Sequence, residues 1–289
     1  MRRTTVWEDI GTAVIYIALG LCAIVTLLPF IYIVAGSFST ERELVERPFF
    51  IIPRYFSLNA YRYIIETGEI FNGLKNSLFI TVVGTFSTLF FTTTFAYPLS
   101  KRNFKGRNVI LNFVIVTMLF SGGLIPTFLL VKSLGLYNSY ASIILLGAIS
   151  PFNMIIVKNF FKNIPDELEE AAIIDGYSDL GVFVKIVLPL SKPVLASIGL
   201  FTAVGFWNDY FNAMIYLQDS FKETAQVVLR RIVLLSESMD AEMMFAVETP
   251  PDKAVRMAAT VVATVPILVV YPFLQKHFAQ GVMVGAVKG

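Results

Sequence analysis

Five stretches of this chain, residues 10–40, 76–100, 108–131, 133–157 and 257–275, contain no Asp, Glu, Lys or Arg. Each has roughly the 20 residues that a helix rising about 1.5 Å per residue needs to cross about 30 Å of hydrocarbon. A sixth stretch, 193–217, qualifies with one interruption well inside it, Asp209. The chain is 56% hydrophobic and 15% charged, where soluble domains run near half and a quarter. The expected architecture is an all-α membrane protein, one domain over residues 1–289 with six transmembrane helices near 12–36, 76–99, 108–131, 138–158, 193–217 and 256–275. The first run, about 31 residues without charge, far exceeds the apolar core of a signal peptide and is expected to stay as the first helix.

Direction follows from Lys and Arg in short loops. Arg2 and Arg3 precede the first span, Lys101, Arg102, Lys105 and Arg107 follow the second, and Lys276 and Lys288 follow the sixth; the short loop after the third has only Lys132. Both termini are therefore expected in the cytoplasm, with the long segments 37–75 and 218–253 outside, including Arg47 and Lys222. The outer segments are rich in aromatics such as Phe49, Phe50, Tyr55 and Phe56, which suit either docking of an outside partner or packing at headgroup level.

Several chemistries are excluded. The net charge of +2 is too small and dispersed for nucleic acid. One cysteine, Cys22, rules out an internal disulfide, and one histidine, His277, leaves triads and histidine metal sites without material. Five of the six spans contain proline (Pro29, Pro98, Pro126, Pro151, and Pro266 with Pro272), which suits either plain packing or a bundle that rearranges. Gly122-Gly123 before Pro126 marks a local break.

The segment 159–192 is more than a connector. Pro165 suits a first helical turn, and Asp166, Glu167, Glu169 and Glu170 put negative charge at the positive end of the helix dipole. Gly176 is placed for a left-handed cap, and Ser178 for the N-cap of a second helix that Pro189 ends. Leu168, Ala171, Ala172 and Asp175, spaced by three and four, are expected to share one face where small side chains let a partner approach. A solvated acidic helix on the membrane surface is the plainer reading of the same residues.

The spacing Glu170-Ala171-Ala172, three residues, Gly176, nine residues, Ile186, one residue, Leu188-Pro189 resembles the EAA loop of permease subunits in bacterial binding-protein-dependent ABC importers. Residues 121–127, 134–138, 206–209, 271–276 and 285–289 are similar to MalG-type carbohydrate permeases, in particular an LplC/YtcP-like branch that includes importers of oligosaccharides from acidic polysaccharides such as alginate. Tyr177 departs from the alanine usual there. The resemblance implies the type I ABC permease fold in the bacterial cytoplasmic membrane. In that fold the EAA coupling helix, with Glu169, Glu170, Ala171, Ala172, Asp175, Gly176, Leu188 and Pro189, engages an ATPase. It further implies a homologous permease, two ATP-binding subunits and an extracytoplasmic solute-binding protein as partners, with membrane lipid around them. ATP and Mg would be bound by the ATPase; this chain has no G-x-x-x-x-G-K-[ST] loop and is expected to be no enzyme by itself.

For the substrate path the candidates are Asn153, Trp207, Asn208, Asp209 and Tyr210. A carboxylate inside a span costs about 2.5–3.5 kcal/mol, so Asp209 should face protein or a wet cavity. It serves either as an interhelical clamp or, with the neighbouring rings and amides, as a sugar contact. Asn153 either bonds the carbonyl that Pro151 frees or meets substrate. An ion-coupled secondary transporter is the rival function; it needs intramembrane ionisable residues and usually internal repeats, and Asp209 alone is thin support.

Overall fold

The computed structural model describes residues 6–234 and 253–286, with side chains at 11–234 and 253–270. Arg2, Arg3 and Lys288, expected to help set direction, lie outside the described residues, as do the side chains of Lys276 and His277. So does half of the second expected outer segment, at 235–252. The described chain is helical, and no strand forms within it apart from an isolated bridge between Ser39 and Phe56.

In chain order the helices are α1 (Val6–Ser37), α2 (Glu41–Glu46), α3 (Asn59–Thr67), α4 (Glu69–Ser100), α5 (Arg107–Leu119), α6 (Leu124–Ser133), α7 (Tyr140–Leu146) and α8 (Pro151–Lys162). Next come α9 (Asp166–Ile174), α10 (Asp179–Val182), α11 (Leu188–Leu190), α12 (Lys192–Trp207), α13 (Phe211–Tyr216), α14 (Ala225–Leu234) and α15 (Lys253–Ala286). Three stretches, Gly11–Ser37, Glu69–Ser100 and Lys253–Val270, are single helices long and apolar enough to cross a bilayer.

The third, fourth and fifth spans are bent pairs, the first of them at the expected break. α5 and α6 meet at 117°, α7 and α8 at 50°, and the segment Asp179–Leu190 turns 77° into α12. The first bend falls at the Gly122-Gly123 break, where Gly123 has φ +82. Two of the span prolines lie at helix starts: Pro126 sits in the first turn of α6 and Pro151 is the first residue of α8. There a missing N–H costs nothing, because that group has no helical partner in any case.

Contacts group the chain into two compact units, Met1–Ile70 with Leu229–Val265 and Phe71–Val228 with Pro266–Gly289. In the first, α1 is apolar on all sides, with Val14, Leu21 and Phe30 each more than half exposed, as a lipid-facing helix must be. The segment that follows α1 then folds around Glu43, 1% exposed. Its carboxylate accepts the Arg54 and Tyr55 amide N–H groups at 2.9–3.0 Å and Arg47 Nη1 at 2.6 Å. Phe38 stacks on Phe56, and Tyr32 on Phe49. The aromatics of this segment therefore pack on one another and on the end of α1.

In the second unit α4 is the mast. Near its start, Asn76 Nδ2 donates to the carbonyls of Phe221 and Glu223, and Lys222 Nζ donates to Asn138 O at 2.9 Å. At its far end, Arg107 Nε donates to Leu99 O at 2.9 Å. The 25 residues from Asn76 to Ser100 span about 36 Å of helix, so Lys222 and Lys101 lie on opposite sides of an apolar layer. Midway, the Phe206 ring occupies the space left by Gly84 and Gly147, where any side chain would overlap it. Thr88 Oγ1 ties the same helices by donating to Gly147 O.

Candidate functional site

α9 begins after Pro165 with Asp166, Glu167 and Glu169 in its first turn. It closes as the sequence suggests: Gly176 has φ +88, its N–H donates to Ile173 O, and the Tyr177 N–H donates to Ala172 O, both at 3.0 Å. These two bonds satisfy carbonyls that the helix end would otherwise leave bare. A Cβ at Gly176 would meet no atom within 4 Å, so glycine is needed there for its backbone and not for space. Ser178 Oγ then accepts the Gly181 N–H and caps α10.

The faces of α9 differ from expectation at Ala172. Leu168, Ala171 and Asp175 are exposed, but Ala172 is 5% exposed and packs in a buried cluster with Val157, Phe161, Val182 and Val187. With successive residues about 100° apart, Ala172 falls on the side of Glu169, three residues before it, and Ala171 turns away. Glu169 is buried too, and its carboxylate forms an ion pair with Lys101 Nζ. That ammonium also lies 4.7 Å from the centre of the Tyr97 ring. Glu170 is exposed beside Ile173 and Ile174, the last 85% exposed. A notch of about 300 Å³ separates the turn after α4 from α8 and α9, edged by Lys101, Arg102, Lys162, Asp166 and Glu170.

Leu188 and Pro189 are placed otherwise than expected: Pro189 does not end its helix. A π turn over Phe183–Val187 precedes it, with the Leu188 N–H donating to Phe183 O. The wider turn relieves the crowding that a proline ring imposes on the carbonyl four residues back. The helix runs on to Leu190, where Ser191 Oγ donates to Val187 O at 2.7 Å before the chain bends into α12.

The substrate-path candidates are only partly brought together. Trp207, 8% exposed, is the last residue of α12. It lines an apolar cavity of about 380 Å³ with Leu78, Val82, Phe86, Val204 and Ile267. Asn208, Asp209 and Tyr210 do not line it; they form the turn between α12 and α13. Asp209 is therefore not inside a helix, and its carboxylate caps the next one by accepting the Asn212 N–H at 3.1 Å and Nδ2 at 2.9 Å. The bonds found for it are local and do not bridge helices. Asn153 lies in the first turn of α8, where its N–H donates to Ser150 Oγ. With Pro151 starting that helix, no freed carbonyl awaits the Asn153 amide.

Sequence reasoning passed over Thr81 and Thr85, which line the same cavity and whose buried hydroxyls find no hydrogen-bond partner among the described residues. It also missed Lys101 as the partner of Glu169. Hydroxyls four apart on a span, and the first of the four cations that follow its end, were the signals available.

Residues 89–284 match the family model described as the binding-protein-dependent transport system inner membrane component. The chain is 56% identical over 274 residues to protein LplC of Bacillus subtilis (strain 168), covering 94% of this chain and 92% of that protein. It is 53% identical over 277 residues to the polygalacturonan/rhamnogalacturonan transport system permease protein YtcP of the same strain, covering 95% and 97%. Among solved structures, a bacterial ABC transporter involved in the import of the acidic polysaccharide alginate superposes with a TM-score of 0.87 at 33% identity, over 96% of this chain and all of that one.

Proposed function

The chain belongs to the family of binding-protein-dependent transport system inner membrane components, and from that premise we propose how its loop is worked and what it carries. It is the permease subunit of an ATP-driven ABC importer of a sugar or oligosaccharide, and not an ion-coupled secondary transporter. A homologous permease, two ATP-binding subunits that hold ATP and Mg, and an extracytoplasmic solute-binding protein complete the machine. The whole chain acts as one permease domain, with both termini in the cytoplasm. The cargo is an acidic oligosaccharide; the kinship with a polygalacturonan/rhamnogalacturonan permease and with an alginate importer supports that class.

One observation carries the mechanism. α9 presents Glu170, Ala171 and Ile174 outward, while its other face lies in the same buried cluster as Leu99, Val157 and Ile198 of α4, α8 and α12. A close-packed interior transmits displacement with little compliance. When the ATP-binding subunit closes on the outward face, the inward face moves three membrane helices together. Glu170 meets a cation of that subunit. Losing one partner of a desolvated, hydrogen-bonded charge pair costs about 2–5 kcal/mol.

Uptake by the purified complex in proteoliposomes tests this reading. ATP in the compartment facing Lys101, with binding protein and an oligogalacturonate or oligoalginate on the other side, should give accumulation. Accumulation driven by an ion gradient without ATP would overturn it.

A further inference from the structure

A side chain lies across the hinge between α9 and α10. Gly176 makes the turn with φ +88, and Tyr177, the next residue, is fastened on both sides of it. Its N–H donates to Ala172 O at 3.0 Å, which ties its backbone to the last turn of α9. Its ring lies the other way, against the bare face of Gly181 in α10, where a Cβ would come within 3.2 Å of the ring Cδ1. The Lys185 ammonium stands 4.8 Å from the ring centre, and Lys185 belongs to the π turn Phe183–Val187. Among the described residues no carboxylate lies within 4 Å of that ammonium, so the negative face of the ring is what it meets.

These contacts join three pieces of backbone. Gly181 and Lys185 are one turn apart, so the ring runs along a single stripe of the helix that returns to the membrane. From the π turn the chain passes through α11 and Ser191 into the span α12. Ala172, Val182 and Val187 hold the inner side of the hinge in one buried cluster, and Tyr177 closes the side that solvent reaches. Glycine offers little resistance to rotation about its own backbone, so without the ring a push on α9 is spent in bending at Gly176. We propose that Tyr177 is a positioning residue for coupled transport: laid on Gly181 and under Lys185, its ring locks α9 to α10 and the π turn, so that a displacement of α9 is carried along the chain into α12. The proposal rests on the reading that the ATP-binding subunit works α9.

The test is the amount of oligogalacturonate or oligoalginate accumulated per ATP hydrolysed by the reconstituted importer with its binding protein. It is read beside an Ala171→Cys cross-link to the ATP-binding subunit, which reports docking by itself. A cation over an exposed ring shifts an equilibrium by roughly two- to fivefold. Tyr177→Ala should lower the transport ratio by about that factor or more with the cross-link unchanged, and Tyr177→Phe, which keeps the ring, should retain the parent's ratio. Lys185→Gln, a surface change that leaves the ring in place, should lower the ratio in the parent and add nothing beside Tyr177→Ala. An unchanged ratio in Tyr177→Ala or in Lys185→Gln overturns the proposal. So does a Lys185→Gln effect of equal size in both backgrounds, which uncouples the two side chains. Loss of the cross-link in Tyr177→Ala also overturns it, because Tyr177 is then a docking contact. A parent complex that transports without cross-linking contradicts the docking reading itself, and the proposal falls with it.

Discussion

Lys101 and Glu169 form an ion pair between the turn that ends α4 and the first turn of α9, and Glu170, the next residue, faces away from the bundle. Two adjacent carboxylates thus have opposite surroundings. The side chains of the pair are 32% and 12% exposed, between the exposed case, worth under about 1 kcal/mol, and the buried one, where losing a partner costs about 3–5 kcal/mol. Lys101→Ala or Glu169→Ala should lower the stability of the complex by about 1–3 kcal/mol, and the swap Lys101→Glu/Glu169→Lys should restore most of it. Thermal unfolding of the three variants measures this; a swap no better than either single change would show that the pair does not hold α9.

Gly176 is the hinge of the loop through its backbone alone. An L-residue in the left-handed region costs about 1–2 kcal/mol, and asparagine tolerates it better than most. Gly176→Val should reduce ATP-driven uptake while the chain stays in the membrane, and Gly176→Asn should retain most of it. If both transport equally well, the cap does not set the pose of α9.

Much of this loop was legible in the sequence because its signals are local. Gly176 acts through its own backbone and Ser178 through a hydroxyl that reaches three residues on, and the structure finds both in their expected caps, while Pro165 stands just before α9 and not in its first turn. The orientation of Ala172 and the pairing of Glu169 were not legible, since both depend on which side of α9 the bundle occupies. The bends were half visible: Gly122-Gly123 announces the one between α5 and α6, while the 77° turn at Ser191 was not expected. Phe206 filling the space between Gly84 and Gly147 joins residues far apart in sequence, which no periodicity reveals.

Glu43 gives the segment between α1 and α3 a pH dependence. Burial alone would raise its pKa, but the Arg54 and Tyr55 amides and the Arg47 guanidinium outweigh that and hold the carboxyl below its ordinary range. A depressed pKa contributes stability above the ordinary glutamate value of about 4.3 and loses it as pH falls through the folded value. Protection of the Arg54 and Tyr55 amides against hydrogen exchange, taken relative to the intrinsic rate at each pH, should therefore be high at neutral pH and fall in acid. Glu43→Gln should exchange faster at neutral pH and show little further acid effect. An identical pH profile in the variant would remove Glu43 as the cause.

Asp209 caps α13, and asparagine also accepts a backbone N–H. Asp209→Asn should assemble and retain most uptake of an acidic oligosaccharide, whereas Asp209→Leu should destabilise the complex by about 1 kcal/mol. Near-zero uptake in an intact Asp209→Asn complex would move this carboxylate into the translocation path.

The central claim is that one face of α9 meets the ATP-binding subunit while the other moves the bundle. Single cysteines at 171 and 172, introduced into an importer otherwise free of cysteine, with Cys22→Ser, test it by cross-linking to that subunit during ATP hydrolysis. A cysteine at 171 should cross-link and one at 172 should not, although the two are neighbours. Cross-linking at 172 as readily as at 171, or none at 171 in a complex that still hydrolyses ATP in response to substrate, would contradict the account.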